Sequence, residues 1–196
     1  MINEKIVIID YGAGNVQSVR FAFERLGVLP VLSRDWDEIK NADRVIFPGV
    51  GEAAWAMSSL QKDNLHLLIP QLKQPVLGIC LGMQLMCASS QEGETRGLGI
   101  FPGEAQRFAP VGKVPHMGWN QLEDMRGPLF EGIAPNSYVY FVHSYYVPIM
   151  DQTSASCEYI NSFSAAVQKD NFFACQFHPE KSGDVGAKIL QNFLDC

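Results

Sequence analysis

The sequence lacks several features that would mark particular classes of protein. No apolar run reaches the roughly 20 residues that cross a bilayer, so no membrane partner is expected. Lys and Arg form no cluster and the net charge is −6, so no nucleic-acid partner is expected. The five cysteines include no CxxC pair, which indicates reduced thiols rather than a disulfide framework or metal site. Residues 1–5 show no secretory pattern, and together these features predict a cytoplasmic protein.

The sequence also lacks a linker, an internal repeat and any segment of low complexity. Hydrophobic residues make up 47% of its 196 residues, which is enough for one sizeable core. We therefore expect a single domain over residues 1–196.

In the first half, apolar strand-like runs alternate with helical patterns. Strands are predicted at 5–9, 28–32, 44–47 and 76–79, and a helix is predicted from Val16 to Leu26, ended by Gly27. Strands joined by crossover helices form a parallel sheet that is covered on both faces. Ligands of such sheets bind outside the carboxyl ends of the strands.

The second half has shorter strand candidates between turns that contain Pro, Asn or Gly. They lie at 137–142, 154–159, 165–168 and 172–176, and they are predicted to be antiparallel additions. Val185, Ile189 and Phe193 predict a closing helix by their spacing.

The most informative segment is Gly-Ile-Cys-Leu-Gly at 78–82, which connects the fourth predicted strand to a helical pattern. Glycines on both sides of Cys80 allow a strained turn and a close approach of substrate. A cysteine at a helix N-terminus is favoured as a thiolate. The segment therefore predicts a nucleophilic cysteine at the sheet edge.

A cysteine nucleophile needs a base and a group that orients the base. His178 follows an apolar strand candidate, in the segment Gln-Phe-His-Pro-Glu at 176–180. A residue before proline favours extended backbone, and in an extended segment residues i and i+2 point the same way. We therefore expect Glu180 to orient His178 as the third member of a triad.

Acyl chemistry also needs donors for the oxyanion. The N–H of Leu81, directly after the nucleophile, is the usual first donor. The segment Pro-Gly-Val-Gly at 48–51 ends the third strand at the same sheet edge, so Val50 and Gly51 are candidates for the second donor.

Each of these features alone has a simpler explanation. The turn around Cys80 would then hold a buried thiol, His178 would be a satisfied or surface histidine, and Glu180 would be a solvated carboxylate. The loop at 48–51 could likewise be an ordinary turn. The cysteine turn, the His-x-Glu segment and this loop each follow a different strand, and that combination favours a catalytic site.

The same residues carry a resemblance to a known family. The segments at 78–84 and 178–180 resemble those of class I, triad-type glutamine amidotransferases. Within that family, the segments at 10–15, 48–51, 115–120 and 140–145 are similar to those of the glutaminase subunits of imidazole glycerol phosphate synthases. The family members of anthranilate and GMP synthases usually carry a Gly-Gly oxyanion loop and Gly-His-Gln after the cysteine, whereas this chain has Gly49-Val50-Gly51 and Gly82-Met83-Gln84.

The resemblance implies a three-layer, flavodoxin-like α/β fold with a mixed, mostly parallel central sheet and added antiparallel strands. It also implies that the chain hydrolyses L-glutamine to glutamate and ammonia through a thioester on Cys80. The substrate would be bound by Gly49, Gln84, Glu92, Ser144 and Tyr145. No cofactor and no metal are implied.

The resemblance further implies a heterodimer with a (β/α)8-barrel cyclase subunit. That subunit would use the ammonia to form imidazole glycerol phosphate and aminoimidazole carboxamide ribotide in histidine biosynthesis, which adds a lyase activity to the hydrolase activity. The chain has no Gly-x4-Gly-Lys-Ser/Thr phosphate loop of its own. Asn15, Trp119, Asn120 and Tyr140 are the residues expected to face the cyclase.

Val50 suggests regulation, because a β-branched residue stands where relatives have a second glycine, which would hinder rotation of the loop. We expect the isolated chain to be a weak glutaminase that the partner activates. Two alternatives remain at this stage: a cysteine-elbow protein of the DJ-1/PfpI type and an inactive interaction module.

Overall fold

The computed structural model describes residues 4–12 and 15–196. Its first half alternates strands and helices as the sequence predicts. The elements are β1 (Ile6–Ile9), α1 (Val16–Arg25), β2 (Val31–Ser33), α2 (Trp36–Lys40), β3 (Arg44–Gly49), α3 (Ala53–Lys62), α4 (Leu65–Leu68), β4 (Val76–Cys80) and α5 (Leu81–Met86). Ala13 and Gly14 of the segment at 10–15 lie outside the described residues.

The second half consists mainly of strands and ends in a helix. The elements are β5 (Cys87–Ser90), β6 (Thr95–Arg96), β7 (Phe101–Arg107), β8 (His116–Gln121), β9 (Tyr138–His143), β10 (Tyr145–Tyr146), β11 (Thr153–Tyr159), β12 (Asn161–Lys169), β13 (Phe172–Cys175) and α6 (Gly183–Leu194). Short 3₁₀ helices lie at Ile69–Gln71, Glu92–Glu94, Pro128–Phe130 and Pro179–Lys181.

In the described part of the chain, the central sheet has seven strands in the order β11-β12-β13-β4-β3-β1-β2. The pairs from β13 to β2 are parallel, and β11 and β12 are antiparallel additions at one edge. The segment 172–176 was predicted to be an antiparallel addition. This holds for the pairing of β13 with β12, but it is wrong for the pairing with β4, which is parallel. This pairing places the end of β13 beside the end of β4.

Alternating side chains of the parallel strands build a core on each face of the sheet. Val7 and Ile9 pack with residues of α2, α3, α4 and α5, whereas Ile6 and Ile8 pack with residues of α1 and α6. Because strand residues i and i+1 point to opposite faces, a continuous apolar run is what a doubly covered strand requires. The result is the three-layer α/β arrangement expected from the sequence.

Two smaller sheets flank this frame on the side of the strand ends. The strands β10, β7, β5 and β6 form one of them, and the antiparallel ribbon of β8 and β9 forms the other. The ribbon is in register from His116 opposite His143 to Gln121 opposite Tyr138. Among the described residues, none of the helices combines the length and the apolar composition that crossing a membrane requires.

Candidate active site

Three predicted site segments meet at one edge of the central sheet. They follow β3, β4 and β13, which are direct neighbours in the sheet. The register pairs Gly49 with Cys80 and Cys175 with Ile79, so the three strands end at the same level. The parallel topology therefore brings the glycine loop, the cysteine and the histidine segment together.

Cys80 lies at a strained turn between β4 and α5. Its backbone has φ 53° and ψ −109°, a conformation that L-residues rarely adopt. A Cβ atom on Gly82 would lie 2.0 Å from the carbonyl oxygen of Phe47, and one on Gly78 would lie 2.8 Å from the sulfur of Met86. The two glycines therefore let the turn pack directly against β3 and α5, and the thiol sits at the tip of the turn.

His178 and Glu180 form a buried hydrogen-bonded pair. His178 Nδ1 lies 2.8 Å from Glu180 Oε1, and both side chains are almost completely buried. His178 is extended as expected, but Glu180 lies in the 3₁₀ helix Pro179–Lys181 rather than in an extended segment. The tight turn of this helix, rather than a period of two, brings the carboxylate back to the ring.

Asn15 extends this pair. Its side-chain amide donates a hydrogen bond of 2.8 Å to the same oxygen of Glu180 that His178 contacts. The sequence predicted a partner-facing role for Asn15, and the structure gives it a contact with the orienting carboxylate. With two donors on Oε1, the Glu180 side chain is held in one rotamer.

The second ring nitrogen of His178 faces the cysteine. Nε2 is buried and makes no hydrogen bond to another described residue, and Cys80 is its interacting neighbour. Burial lowers the pKa of His178, but the neighbouring Cys80 and Glu180 outweigh it and raise this pKa to about 10. In its protonated form, the imidazole stabilises a negative charge on the sulfur.

A cavity of about 470 Å³ opens in front of these groups. Its walls include the following predicted site residues: Val50, Gly51, Cys80, Leu81, Gln84, Glu92, Ser144, Tyr145 and His178. Gly49 lies just behind the wall, where a Cβ atom would come 2.8 Å from the Gly82 nitrogen. Apart from Gly49 and Glu180, which contacts His178, the predicted catalytic, oxyanion and substrate-binding residues thus line one cavity.

Gln84 and Glu92 occupy the cavity wall in different ways. Gln84 Nε2 donates to the carbonyl of Tyr145 and to Gln176 Oε1, both at 3.0 Å, so only its Oε1 has no partner among the described residues. Glu92 Oε2 accepts a hydrogen bond from the N–H of Ala53 at 2.8 Å. Partial burial raises the pKa of Glu92. Both side chains offer acceptor oxygens, which suit an ammonium group.

The comparison with protein families agrees with this geometry. The model of class-I glutamine amidotransferases matches residues 7–196. The imidazole glycerol phosphate synthase subunit HisH of Bacteroides fragilis strain YCH46 is 53% identical over 194 residues, which cover 97% of this chain and 99% of that protein. This chain belongs to the HisH family of class-I glutamine amidotransferases.

A second HisH relative gives the same assignment, and a solved structure shows the same fold. The HisH subunit of Shewanella sediminis is 53% identical over 96% of this chain and 89% of its own length. A putative GMP synthase protein from Thermoplasma acidophilum has the same fold, with a TM-score of 0.74 at 20% identity over 98% of this chain and 92% of that one. The family assignment separates this chain from the DJ-1/PfpI type.

The residues expected to face a partner have different surroundings in this HisH-family chain. Trp119 and Tyr140 lie opposite each other on the exposed face of the ribbon, with ring centroids 6.0 Å apart. Trp119 is 55% exposed. Asn120 points to the other face, where its amide donates to the carbonyl of Glu158 at 3.0 Å. Asn120 therefore holds the ribbon against β11 rather than sharing the surface of Trp119.

Sequence reasoning missed a chain of hydrogen bonds between two buried histidines beneath the ribbon. His143 Nδ1 lies 2.7 Å from the carbonyl of Tyr145, so it must donate, and its Nε2 then accepts from His116 Nδ1 at 3.0 Å. His116 Nε2 is left to accept from the amide of Asn120 at 3.3 Å. Burial lowers the pKa of His116 to about 4 and that of His143 to about 3, so both rings are neutral. This series of hydrogen bonds fixes the Tyr145 backbone at the cavity wall.

Tyr11 was also missed, although it lies in the diagnostic segment at 10–15. Its buried hydroxyl donates to the carbonyl of Pro48 at 2.9 Å, and its ring packs on Phe47. Burial raises the pKa of Tyr11, so the hydroxyl keeps its proton. This bond ties the end of β1 to the start of the glycine loop. The position of this tyrosine just after a buried strand was the feature of the sequence that could have indicated its role.

Proposed function

We propose that this chain is the glutaminase subunit of an imidazole glycerol phosphate synthase. The observation that carries the proposal is the cavity at which Cys80, the His178–Glu180 pair and the acceptor oxygens of Gln84 and Glu92 converge. The names of its HisH relatives support the same assignment. The substrate is L-glutamine, with its side-chain carboxamide at the thiol and its ammonium group at the acceptor oxygens.

Hydrolysis proceeds through a covalent intermediate. The Cys80 sulfur attacks the side-chain carbonyl carbon of glutamine, and the N–H of Leu81 at the start of α5 stabilises the oxyanion, with the loop of Val50 and Gly51 as the second donor. The carbon–nitrogen bond breaks as His178 gives its proton to the leaving ammonia, which leaves a thioester. His178 then takes a proton from water, whose oxygen attacks the thioester and releases glutamate and the Cys80 thiolate. Glu180 and Asn15 keep the ring aligned in both steps.

The ammonia requires an acceptor that it reaches without mixing with bulk water, where it would be protonated and lose its nucleophilicity. We assign this acceptor to a (β/α)8-barrel cyclase subunit, which would carry the lyase step and form imidazole glycerol phosphate and aminoimidazole carboxamide ribotide. The absence of a phosphate-loop sequence from this chain supports that division of labour. The site as proposed needs no cofactor or metal, and the expected compartment is the cytoplasm.

The proposed function predicts coupled activity. Glutamate release by the isolated chain should be slow and should rise on the order of tenfold or more when the cyclase and its nucleotide substrate are added, a usual size for coupling between sites. The physical reason is Val50, which resists the rotation that would aim a loop N–H at the oxyanion. Glutamate would be measured by a coupled dehydrogenase assay with and without each component. An isolated chain as fast as the full complex would contradict the regulation, and a full complex without glutaminase activity would contradict the function.

The exposed face of the ribbon is the proposed docking surface for the cyclase. We expect Trp119→Ala to weaken the complex about tenfold or more, because large exposed aromatic residues commonly dominate interface energies. Leu67→Ala is the matched control, since Leu67 is 51% exposed on α4, whose buried residues belong to a different core from those of the ribbon. Affinity would be measured by titration calorimetry, and thermal unfolding would establish that both variants are folded. Equal affinities for the two variants would exclude the ribbon as the interface.

A further inference from the structure

Gln176 lies directly against the nucleophile, although the sequence assigned no role to this first residue of the segment 176–180. It follows β13, it is fully buried, and its backbone N–H donates to the carbonyl of Ala165 at 2.8 Å. Its side-chain Nε2 lies 3.7 Å from Cys80 Sγ, within the range of a hydrogen bond to sulfur. Gln176 lies two residues before His178, and both residues are neighbours of Cys80.

The hydrogen-bond network determines which end of the Gln176 amide faces the sulfur. The carbonyl of Tyr145 only accepts, so the atom of Gln84 beside it must be the amide nitrogen. The same nitrogen contacts Gln176, whose atom at that point must therefore be the oxygen. The remaining end of Gln176, which faces Cys80, is thus an N–H donor rather than an acceptor.

The other groups around the sulfur do not replace this donor. The carbonyl of Val142, 3.9 Å away, accepts from the thiol but repels a thiolate. Tyr11 and Cys175 are neutral, because burial raises the pKa of each group. His178 is a residue whose pKa the neighbouring Cys80 raises, and Glu92 and Lys181, which also line the cavity, make no hydrogen bond to Cys80 in the described part of the chain.

We propose that Gln176 is a further catalytic residue, whose amide N–H stabilises the Cys80 thiolate and which Gln84 holds in the donating orientation. A hydrogen bond to a charged acceptor contributes about twice as much as one between neutral groups. The N–H of Gln176 therefore offsets the repulsion by Val142 when the thiol loses its proton. Gln84 consequently has two roles, since it orients Gln176 with its nitrogen and presents Oε1 to the cavity. This inference builds on the proposed function.

The test is the pH dependence of Cys80 alkylation by iodoacetamide, followed by mass spectrometry of the peptide that contains Cys80. Gln176→Met removes the donor at similar volume. Gln176→Glu keeps an acceptor for Gln84 but places a carboxylate at the sulfur. We expect the inflection of the profile to move to higher pH in both variants, further for Gln176→Glu, and the rate at pH 7 to fall about tenfold or more. Gln84→Met should shift the profile in the same direction by less.

Thermal unfolding identifies which variants are folded, and only folded variants are compared. An inflection that stays at its wild-type pH in the folded variants would overturn the inference, as would a shift to lower pH in Gln176→Glu. If both Gln176 variants fail to fold, the profile of Gln84→Met decides. Alkylation needs no glutamine, so its outcome is separate from that of the glutaminase assay. A shifted profile in a chain without glutaminase activity would retain the role of Gln176 and reject the substrate.

Discussion

Replacing Cys80 with alanine should lower glutamine turnover by a factor of about 10⁴ or more, because no thioester forms without the sulfur. The remaining groups of the cavity would still bind glutamine, so the loss should fall on kcat rather than on binding. Steady-state glutamate release in the full complex, together with calorimetric titration of glutamine into the variant, separates the two effects. Cys157→Ala is the matched control, since Cys157 is a buried thiol in β11, and it should keep near wild-type turnover.

Glu180→Gln should leave more activity than Cys80→Ala, on the order of 10- to 100-fold more. The amide oxygen still accepts one hydrogen bond, so His178 keeps part of its orientation but loses the negative charge that supports its protonated form. A Cys80→Ala variant as active as Glu180→Gln would contradict a covalent mechanism. If Cys80→Ala lowered only the affinity for glutamine and left kcat unchanged, Cys80 could not be the nucleophile.

The sequence predicted the parts of the fold that depend on local pattern. Continuous apolar runs predicted β1, β3 and β4 within two residues at each end, and the spacing from Val16 predicted α1. These elements are recognisable because burial on both faces of a sheet, or on one face of a helix, imposes a period on the chain. The second strand was predicted three residues too early, since Val28–Pro30 are not part of β2.

The pairing of distant strands was not predictable in the same way. The run at 172–175 has the composition of a buried strand whether its neighbour is parallel or antiparallel, and only the tertiary fold places it beside β4. The ribbon of β8 and β9 was anticipated from one strand alone. The hydrogen bond between its two histidines forms because both side chains face inward. The strand register determines this, and the register could not be predicted from the sequence.

The residues of the candidate site were predictable where a chemically reactive side chain follows a recognisable strand. Cys80 and His178 belong to scarce residue types and follow strands, and Glu180 is two residues from His178, so all three could be recognised without knowledge of contacts. Gln176 and Asn15 are common amides whose roles follow from single contacts of 3.7 and 2.8 Å. Asn120 lies inside a diagnostic segment, but the segment itself did not indicate its hydrogen bond to the carbonyl of Glu158. A sequence motif therefore indicates where a site lies in the fold, whereas the role of each residue follows from its contacts.

Gly82→Ala should destabilise the chain by about 3 kcal/mol or more, although alanine is the better helix former by roughly 1 kcal/mol. The added Cβ would lie 2.0 Å from the carbonyl oxygen of Phe47 and 3.1 Å from its carbonyl carbon. Both atoms are backbone of β3, so the clash can be relieved only by moving α5 away from the sheet. That movement would also displace Cys80 from His178, and a shift of about 1 Å at reacting groups can cost on the order of 100-fold in rate.

Gly27→Ala is the control that separates this clash from the general cost of replacing a glycine. Gly27 follows α1 with φ +81°, and no atom lies within 4 Å of the added Cβ, so only backbone strain of about 1–2 kcal/mol opposes the change. Urea unfolding of the two variants gives the free energies directly. A Gly82→Ala variant as stable as Gly27→Ala would show that the elbow tolerates a side chain. The close packing of α5 on β3 would then not be what fixes the position of the nucleophile.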